Sequence, residues 1–287
     1  RHADGTEDWQ QSDIVIDAGG TSWDPAGWGL GGLLPIGAGL MPSGGFDFQA
    51  EPQELIRFLR PVGPLEREAW RGKHLVVIGG GDSAAYQLSE LLALRQEFPE
   101  TTIDWIVRRT DDDTTADRLA ASGNDSPLRT KIQRQIDQGL AAGALRRHTG
   151  LQVAAVRPSD PGWWIDLVGS APNCIRADVI FALTGYRPDT SIQRELQLAL
   201  SPVTDGPIGW ADHLERCRGE GNCDINDVEP NPLITTEPNF YVIGSKSFGR
   251  VPGFTYRIGL DQIRALFALI ADRPGLDLYS QLPMAEK

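Results

Sequence analysis

A glycine-rich run at positions 79–84 is the part of the sequence whose residue types and spacing most clearly suggest chemistry. The run reads GGGDSA, which matches G-x-G-x-x-A, and it directly follows the apolar stretch 74–78, which is typical of a buried strand. In such a turn the first glycine permits a sharp bend, the second lets a pyrophosphate approach the backbone, and a small last residue lets helix and strand pack closely. The helix N-terminus also presents N–H groups and a partial positive charge to phosphates. A purely structural glycine turn is the alternative. The predicted cofactor contacts are Gly79, Gly81, Asp82, Ser83 and Ala84.

Two adjacent arginines indicate which dinucleotide would bind. A second strand is predicted over 103–107, and Arg108 and Arg109 follow it, where NAD-binding proteins usually carry an acidic residue near the ribose 2′-hydroxyl. Guanidinium groups match a 2′-phosphate in charge and in geometry, so the pair favours NADP over NAD. The alternative is that both arginines pair with the acidic run 111–113 on a solvated surface.

The hydrophobic pattern predicts the elements that position these residues. Apolar strand patterns cover 13–18, 74–78, 103–107, 178–182 and 240–243. Helical periodicity covers 84–92, 128–140 and 263–270. Alternation of strands and helices around glycine-rich turns predicts an α/β fold with a parallel sheet.

Other stretches suggest connections and a boundary. The turn signal at 160–162 lies between two apolar runs and indicates a β-hairpin. The glycine- and proline-rich stretch 22–45 is expected to form an irregular loop, and a short helix is expected within 52–60. Prolines and glycine at 60–64 predict a boundary.

Composition and charge limit the classes of protein to which the chain can belong. Its residues are 40% hydrophobic and 23% charged, which suits a globular protein, and its length of 287 residues favours two domains, with one large domain as the alternative. The net charge of 27 − 39 = −12 argues against nucleic acid or an anionic membrane as the main partner, since both are polyanions. Because no long apolar run occurs and cysteines are few, we expect no membrane span and a cytoplasmic setting. The chain begins with Arg1 instead of Met, so we expect it to be processed or truncated.

The segments 13–21 and 178–189 share one pattern, an apolar strand that begins after an acidic residue and ends in small residues with glycine. Together with the 79–84 run and the two arginines, they resemble the two-dinucleotide-binding-domain flavoproteins, which include thioredoxin reductases and flavin-containing monooxygenases. The resemblance implies a Rossmann-like three-layer NADP-binding domain inserted into a discontinuous FAD-binding domain. The implied boundaries are 1–65 for the first FAD segment, 66–189 for the NADP domain and 190–287 for the returning FAD segment.

The resemblance also implies further cofactor contacts. Segment 182–189 is similar to the strand that closes the NADP domain of these proteins, which implies contacts from Gly185 and Tyr186. Segment 240–244 and the helix from about residue 258 resemble the C-terminal FAD-contacting segment, whose helix dipole would stabilise negative charge on reduced flavin. The implied FAD contacts are Gly20, Thr21, Gly244, Ser245, Ile258 and Gly259.

The chain departs from the family pattern in three ways. It has no second G-x-G-x-x-G for FAD, so we expect the N-terminal part of the full protein to be missing. Ser245 stands where the family carries Asp, so we expect a ribityl hydrogen bond to be weaker or to be made by another group. No C-x-x-C occurs, which speaks against a reactive dithiol; Cys217 and Cys223 are expected to be bystanders, with a redox role as the alternative.

These observations lead to one functional expectation and one alternative. The expectation is an FAD-dependent oxidoreductase, monooxygenase-like in one interpretation, that passes a hydride from NADPH to flavin and on to a small-molecule substrate or oxygen. The alternative is a non-catalytic NADP-binding module, regulatory or for assembly, that has lost FAD binding. No side chain is identified as catalytic, no metal site is expected, and a homodimer is left open.

Overall fold

The computed structural model describes residues 5–6, 11–21, 24–38, 55–56, 59–110, 127–219, 228–277 and 279. The chain divides into two compact units, a smaller one from residues 1–24 and 186–287 and a larger one from residues 25–185. The helices and strands in chain order are β1 (Val15–Asp17), β2 (Asp24–Pro25), β3 (Leu55–Ile56), α1 (Pro64–Trp70), β4 (His74–Ile78), α2 (Asp82–Glu97), β5 (Thr102–Val107), α3 (Pro127–Ala141), β6 (Arg146–Thr149), β7 (Leu151–Pro158), β8 (Trp163–Gly169), β9 (Asn173–Ala177), β10 (Val179–Ala182), β11 (Tyr186–Arg187), α4 (Ile208–Gly219), β12 (Phe240–Val242), α5 (Ser245–Phe248) and α6 (Tyr256–Ile270).

The larger unit is built on a parallel sheet of five strands in the order β3-β10-β4-β5-β6. Its central strands are buried on both faces, because successive side chains of a strand point to opposite sides. Leu75 and Val77 of β4 belong to the core beneath the helices, whereas Val76 and Ile78 belong to the core on the other face. This two-sided burial explains why β4 is a continuous apolar run.

Two different layers cover the faces of this sheet. Helices α2 and α3 pack on one face, where Leu88, Leu91 and Ile136 are buried. The antiparallel sheet β7-β8-β9 covers the other face through side chains such as Val153 and Ile165. The larger unit is therefore a Rossmann-like three-layer unit that lies, in chain order, between the two segments of the smaller one. The fold class predicted from the sequence is confirmed.

Residues 25–38 and β3, which the resemblance assigns to a first FAD segment, lie in the larger unit. Gly29 and Ile36 form isolated parallel bridges to β7, so the described part of the expected loop 22–45 is tied to the antiparallel sheet. The helix expected within 52–60 is wrong where the structure describes it, because Leu55–Ile56 is a strand paired with β10. Backbone pairing at the sheet edge decides the conformation of this short apolar segment.

The smaller unit pairs β1 with β12 in parallel and packs α4 and α6 around a core of its own. Trp210, Leu214, Phe248, Ile258 and Leu266 are buried in that core. The amphipathic pattern of α6 agrees with the helix expected at the C-terminal end. Among the described residues, none of the helices combines the length and the apolar character that a bilayer crossing requires.

Candidate cofactor sites

Gly79, the first residue of the predicted nucleotide turn, holds a conformation that only glycine adopts easily. Its φ is +133°, and a Cβ on this residue would lie 2.2 Å from the carbonyl oxygen of Leu183 at the end of β10. The close approach follows from the pairing of β4 with β10, since the Leu183 N–H donates to the Ile78 carbonyl. The first glycine of the motif is therefore required by backbone geometry alone.

Gly81 differs from Gly79, because the surrounding protein leaves room for a side chain there. Its φ is −98°, and a Cβ there would meet no atom within 4 Å. Gly81 is the N-cap of α2, and the first helical hydrogen bond runs from Ala85 N to the Gly81 carbonyl at 3.1 Å. Because no side chain caps this end of the 16-residue helix, the N–H groups of its first turn point to the side from which an anion would approach.

Trp105 on β5 holds the turn through a hydrogen bond to the backbone of Gly79. Its indole Nε1 donates to the Gly79 carbonyl at 2.7 Å, and the side chain is 1% exposed. The Gly79 N–H donates to the Ile106 carbonyl, so both backbone polar groups of this glycine are held by β5. Sequence analysis missed this function of Trp105, because a buried tryptophan in an apolar strand is ordinarily a core residue.

Asp82, the only carboxylate in the predicted run, pairs with a cation that the sequence did not reveal. Its Oδ2 accepts from an Nη atom of Arg129 on α3 at 2.5 Å, and the Arg129 side chain is 16% exposed. The pair offsets the repulsion that an unpaired carboxylate would exert on a phosphate at the α2 N-terminus. Only the packing of α2 on α3 brings together these residues 47 positions apart, so local pattern contained no signal for it.

Arg108 and Arg109 follow β5, as the sequence predicts. Arg108 is exposed and Arg109 is half-buried, and the Arg109 carbonyl accepts from the Gly150 N–H at 2.8 Å. The acidic run 111–113 lies outside the described residues, so the alternative of a surface ion-pair cluster remains a prediction. Gly185 closes the larger unit with φ +92°, while Tyr186 begins the following segment in β11 and is half-buried.

In the smaller unit the structure brings together residues predicted to contact FAD. We call residues 18–21 the first glycine loop and residues 243–245 the second glycine loop; they follow the carboxyl ends of β1 and β12. A Cβ on Gly20 would lie 3.5 Å from Ser245 Oγ, so the two loops are neighbours. Gly20 and Gly244 have φ of +71° and +73°, and Thr21 is half-buried.

A buried polar network lies under these loops, and sequence analysis did not identify it. Lys246 Nζ contacts Asp17 Oδ2 at 2.6 Å, with side chains that are 6% and 9% exposed. Burial raises the pKa of Asp17, but hydrogen bonds from Lys246, the Gly19 amide and Gln193 outweigh it, and the pKa lies below its ordinary value. Asp17 is therefore an anion at neutral pH, and Lys246 is its counter-ion.

The N-terminus of α6 is less available than the resemblance implies. The Thr255 hydroxyl accepts from the Ile258 N–H at 3.3 Å, and the Gly259 N–H donates to the Thr255 carbonyl. The Ile258 side chain is also buried in the core. Both predicted amides are thus used within the helix, so Ile258 and Gly259 would act on a flavin through the helix dipole and not as hydrogen-bond donors.

Polar residues outside the two cofactor sites take other partners. Asp104 is a buried carboxylate on β5 that accepts from His74, His148 and Arg146. Cys217 Sγ lies 3.7 Å from His213 Nε2, while Cys223 lies outside the described residues. In the part of the chain that the structure describes, no group of His, Cys, Asp and Glu side chains is arranged to hold a metal ion.

Comparison with known proteins gives relatives by fold. No family model and no curated protein sequence matches the chain. Similar solved structures include bacillithiol disulfide reductase Bdr (YpdA) from Bacillus cereus, with TM-score 0.60 and 16% identity over 90% of this chain and 61% of that chain. The same reductase from Staphylococcus aureus has TM-score 0.58 and 14% identity over 90% and 62%. LpdA from Mycobacterium tuberculosis has TM-score 0.51 and 16% identity over 96% and 46%.

These identities show a shared fold. The chain spans about three fifths of the length of the two reductases (61% and 62%). The resemblance to the two-domain flavoproteins is confirmed at the level of the fold.

Proposed function

We propose that the chain is part of an NADPH-dependent flavoprotein oxidoreductase that passes a hydride from NADPH to FAD and on to a small-molecule acceptor or oxygen. The larger unit binds NADPH in this proposal, and the smaller unit supplies the C-terminal contacts to FAD. The single observation that carries the proposal is the 79–84 turn, in which Gly79 is fixed by the backbone and Gly81 leaves room for a diphosphate.

The residues of the larger unit fit a dinucleotide phosphate. A diphosphate above Gly81 would accept from the first amides of α2, aided by the positive end of the helix dipole. Trp105 holds the turn rigid, and Arg129 neutralises Asp82 beside it. Arg108 and Arg109 stand at the end of the neighbouring strand, where a 2′-phosphate would select for arginine.

In the smaller unit, the two glycine loops are suited to bind the polyol–diphosphate chain of FAD. Gly20 and Gly244 have positive φ, and no atom lies within 4 Å of where a Gly244 Cβ would stand. Ser245 Oγ, beside Gly20, can both donate and accept a hydrogen bond, whereas an aspartate would only accept. When bound, NADPH and FAD supply the hydride and electron-transfer chemistry, and the residues named here bind and orient them.

The nucleotide assignment is tested by removing both candidate phosphate ligands. The double variant Arg108→Ala, Arg109→Ala should weaken NADPH binding by at least about tenfold, since hydrogen bonds to charged groups contribute about 1.5–3 kcal/mol each. NADH binding should change by less than about threefold, because NADH has no 2′-phosphate. Isothermal titration calorimetry measures both affinities.

A matched control removes two other arginines from the same unit. Arg157 and Arg176 pair with Asp166 and Asp178, and the variant Arg157→Ala, Arg176→Ala makes the same change in net charge. It should leave both affinities near the wild-type values. Equal weakening of NADPH and NADH by the Arg108, Arg109 variant would contradict the assignment.

The oxidoreductase activity is tested by the flavin spectrum of the purified full-length protein. We expect a bound flavin that NADPH bleaches under anaerobic conditions. A flavin that NADPH does not reduce would remove the electron source from the proposal. NADPH binding without any flavin would instead favour a non-catalytic NADP-binding module, the interpretation that Ser245 in place of aspartate supports.

A further inference from the structure

One buried ion pair connects the two glycine loops of the smaller unit. Asp17 is the last residue of β1, directly before the first glycine loop, and Lys246 directly follows the second glycine loop. Their side chains meet at 2.6 Å across 229 residues of sequence, and both are more than nine-tenths buried. The pair therefore lies at the carboxyl ends of the paired strands β1 and β12, beside the two loops that are predicted to contact FAD.

The Asp17 carboxylate contacts Lys246 and the backbone of the first glycine loop at the same time. Its Oδ2 accepts from Lys246 and, at 2.8 Å, from Gln193 Nε2, while its Oδ1 accepts from the Gly19 N–H at 2.9 Å. With both oxygens engaged, the carboxylate cannot rotate without breaking a contact. A Cβ on Gly19 would stand 3.1 Å from Asp17 Oδ1 and 3.7 Å from Lys246 Nζ, so the loop backbone lies directly on the pair.

The second glycine loop is held by hydrogen bonds to α6. Gln262 of α6 is fully buried; its Oε1 accepts from the Gly244 N–H at 2.7 Å and its Nε2 donates to Ser247 Oγ at 2.8 Å. Ser247 Oγ in turn donates to the Gly244 carbonyl at 2.8 Å. Lys246 therefore projects from a rigid turn, and its contact with Asp17 sets the spacing between the loops.

Strand pairing alone does not require a charged contact at this place. Removing an ion pair from water carries a large desolvation penalty, and apolar residues of similar volume often stabilise a fold as well or better. The backbone bonds of β1 to β12 already join the strands. What the ion pair adds is a fixed geometry for the loops beyond the strand ends.

We propose that Asp17 and Lys246 are positioning residues that preset the two glycine loops for the polyol–diphosphate chain of FAD. The inference rests on the proposed flavoprotein function and adds to it two residues that would act through the loops and not by touching the cofactor. Preset loops lose less conformational freedom on binding, which raises affinity without any new contact.

The test compares charge removal in one partner with charge removal in both, in the full-length protein. Asp17→Asn and Lys246→Met each leave one partner unpaired, whereas the double variant removes both charges of the pair. Three quantities are measured for each protein: the Kd for FAD from titration of the apoprotein, the Kd for NADPH, and the midpoint of thermal unfolding. NADPH binding reports on the larger unit and checks that the variant is folded.

We expect each single variant to raise the Kd for FAD by at least about tenfold and to lower the thermal midpoint. The double variant should regain most of the thermal midpoint but not the FAD affinity. The Kd for NADPH should stay within about twofold throughout. Separation of stability from affinity is the signature of positioning, since a purely structural pair would move both together.

Asp205→Asn serves as the matched control, because Asp205 pairs with Arg250 in the same unit at 2.8 Å and belongs to neither glycine loop. This variant should bind FAD as the wild type does. Wild-type FAD affinity in the double variant or in the single variants would overturn the positioning role while leaving the flavoprotein function intact. Absence of FAD binding by the wild-type protein would overturn the proposed function itself and this inference with it.

Discussion

Gly79 and Gly81 stand two residues apart in one turn, yet an alanine should impair a different property at each position. At Gly79 the backbone φ of +133° is strained for any residue with a Cβ, and that Cβ would lie 2.2 Å from the Leu183 carbonyl oxygen. At Gly81 the backbone is extended and the Cβ would meet no atom of the protein within 4 Å. Alanine at Gly79 should therefore damage the fold, and alanine at Gly81 should damage ligand binding.

The expected magnitudes follow from these two environments. A non-glycine residue in a sparsely populated backbone region costs about 1–3 kcal/mol, and the contact with the Leu183 carbonyl adds to it. We therefore expect Gly79→Ala to lose about 3 kcal/mol, or about 6–12 °C in Tm for a chain of this size. At Gly81 the loss of a favourable N-cap glycine and the smaller unfolded-state entropy oppose each other, so the change should stay within about 1 kcal/mol.

Urea unfolding and NADPH titration measure the two effects separately. Gly81→Ala should lose at least about tenfold in NADPH affinity, because its methyl group occupies the approach of the diphosphate. Gly143→Ala is the control for strain without a clash, since Gly143 has φ +64° and no atom within 4 Å of its Cβ position. It should lose only about 1–2 kcal/mol.

Two results would refute the reasoning. Unchanged NADPH binding by Gly81→Ala would mean that the diphosphate does not lie on this turn. Equal losses of stability at Gly79 and Gly143 would mean that the Leu183 carbonyl moves aside without penalty, and that the first glycine is not fixed by strand pairing.

Two further predictions concern side chains of β5. Trp105→Phe removes the donor to the Gly79 carbonyl; it should lower the free energy of unfolding by about 1 kcal/mol and weaken NADPH binding, measured by urea unfolding and titration. Burial raises the pKa of Asp104, but hydrogen bonds from His148, His74 and Arg146 outweigh it and hold the pKa far below its ordinary value. Its ionised form therefore stabilises the fold above the unfolded-state pKa of about 3.9, and that stability is lost as the pH falls below about 4. Asp104→Asn should be less stable than the wild type at neutral pH, with a gap that narrows under acid; a gap that does not change with pH in urea unfolding would contradict this.

The predictions from sequence that succeeded depend on local pattern. The strand β4, the 79–84 turn and the start of α2 follow one another within about a dozen residues, and glycine spacing with apolar composition determines all three. Periodicity likewise located α3 and the β7–β8 hairpin, because a buried helical stripe and a turn signal are each read within a short window. The resemblance to flavoproteins then supplied the insertion topology, which no local pattern contains.

The residues that sequence reasoning missed make contacts over long separations. Trp105 reaches Gly79 across 26 residues, Arg129 reaches Asp82 across 47, and Lys246 reaches Asp17 across 229. Each is an ordinary residue type in its own segment, so only the packing of distant elements reveals what it does. The helix expected within 52–60 failed for the same reason, since an edge-strand pairing with β10 decided the conformation at Leu55–Ile56.

Both candidate sites use one physical arrangement, although their sequences differ. Each places a glycine with positive φ just beyond a parallel strand, and each holds that glycine by a hydrogen bond with a buried side chain: Trp105 donates to the Gly79 carbonyl, and Gln262 accepts from the Gly244 N–H. Glycine gives the backbone its close approach, but it also has the greatest conformational freedom to lose on folding. The buried side chain limits that freedom in the folded protein and holds the turn in one conformation. Such anchors lie beyond the glycine motif itself, which is why the motif predicts a candidate site while its anchors are found only in the structure.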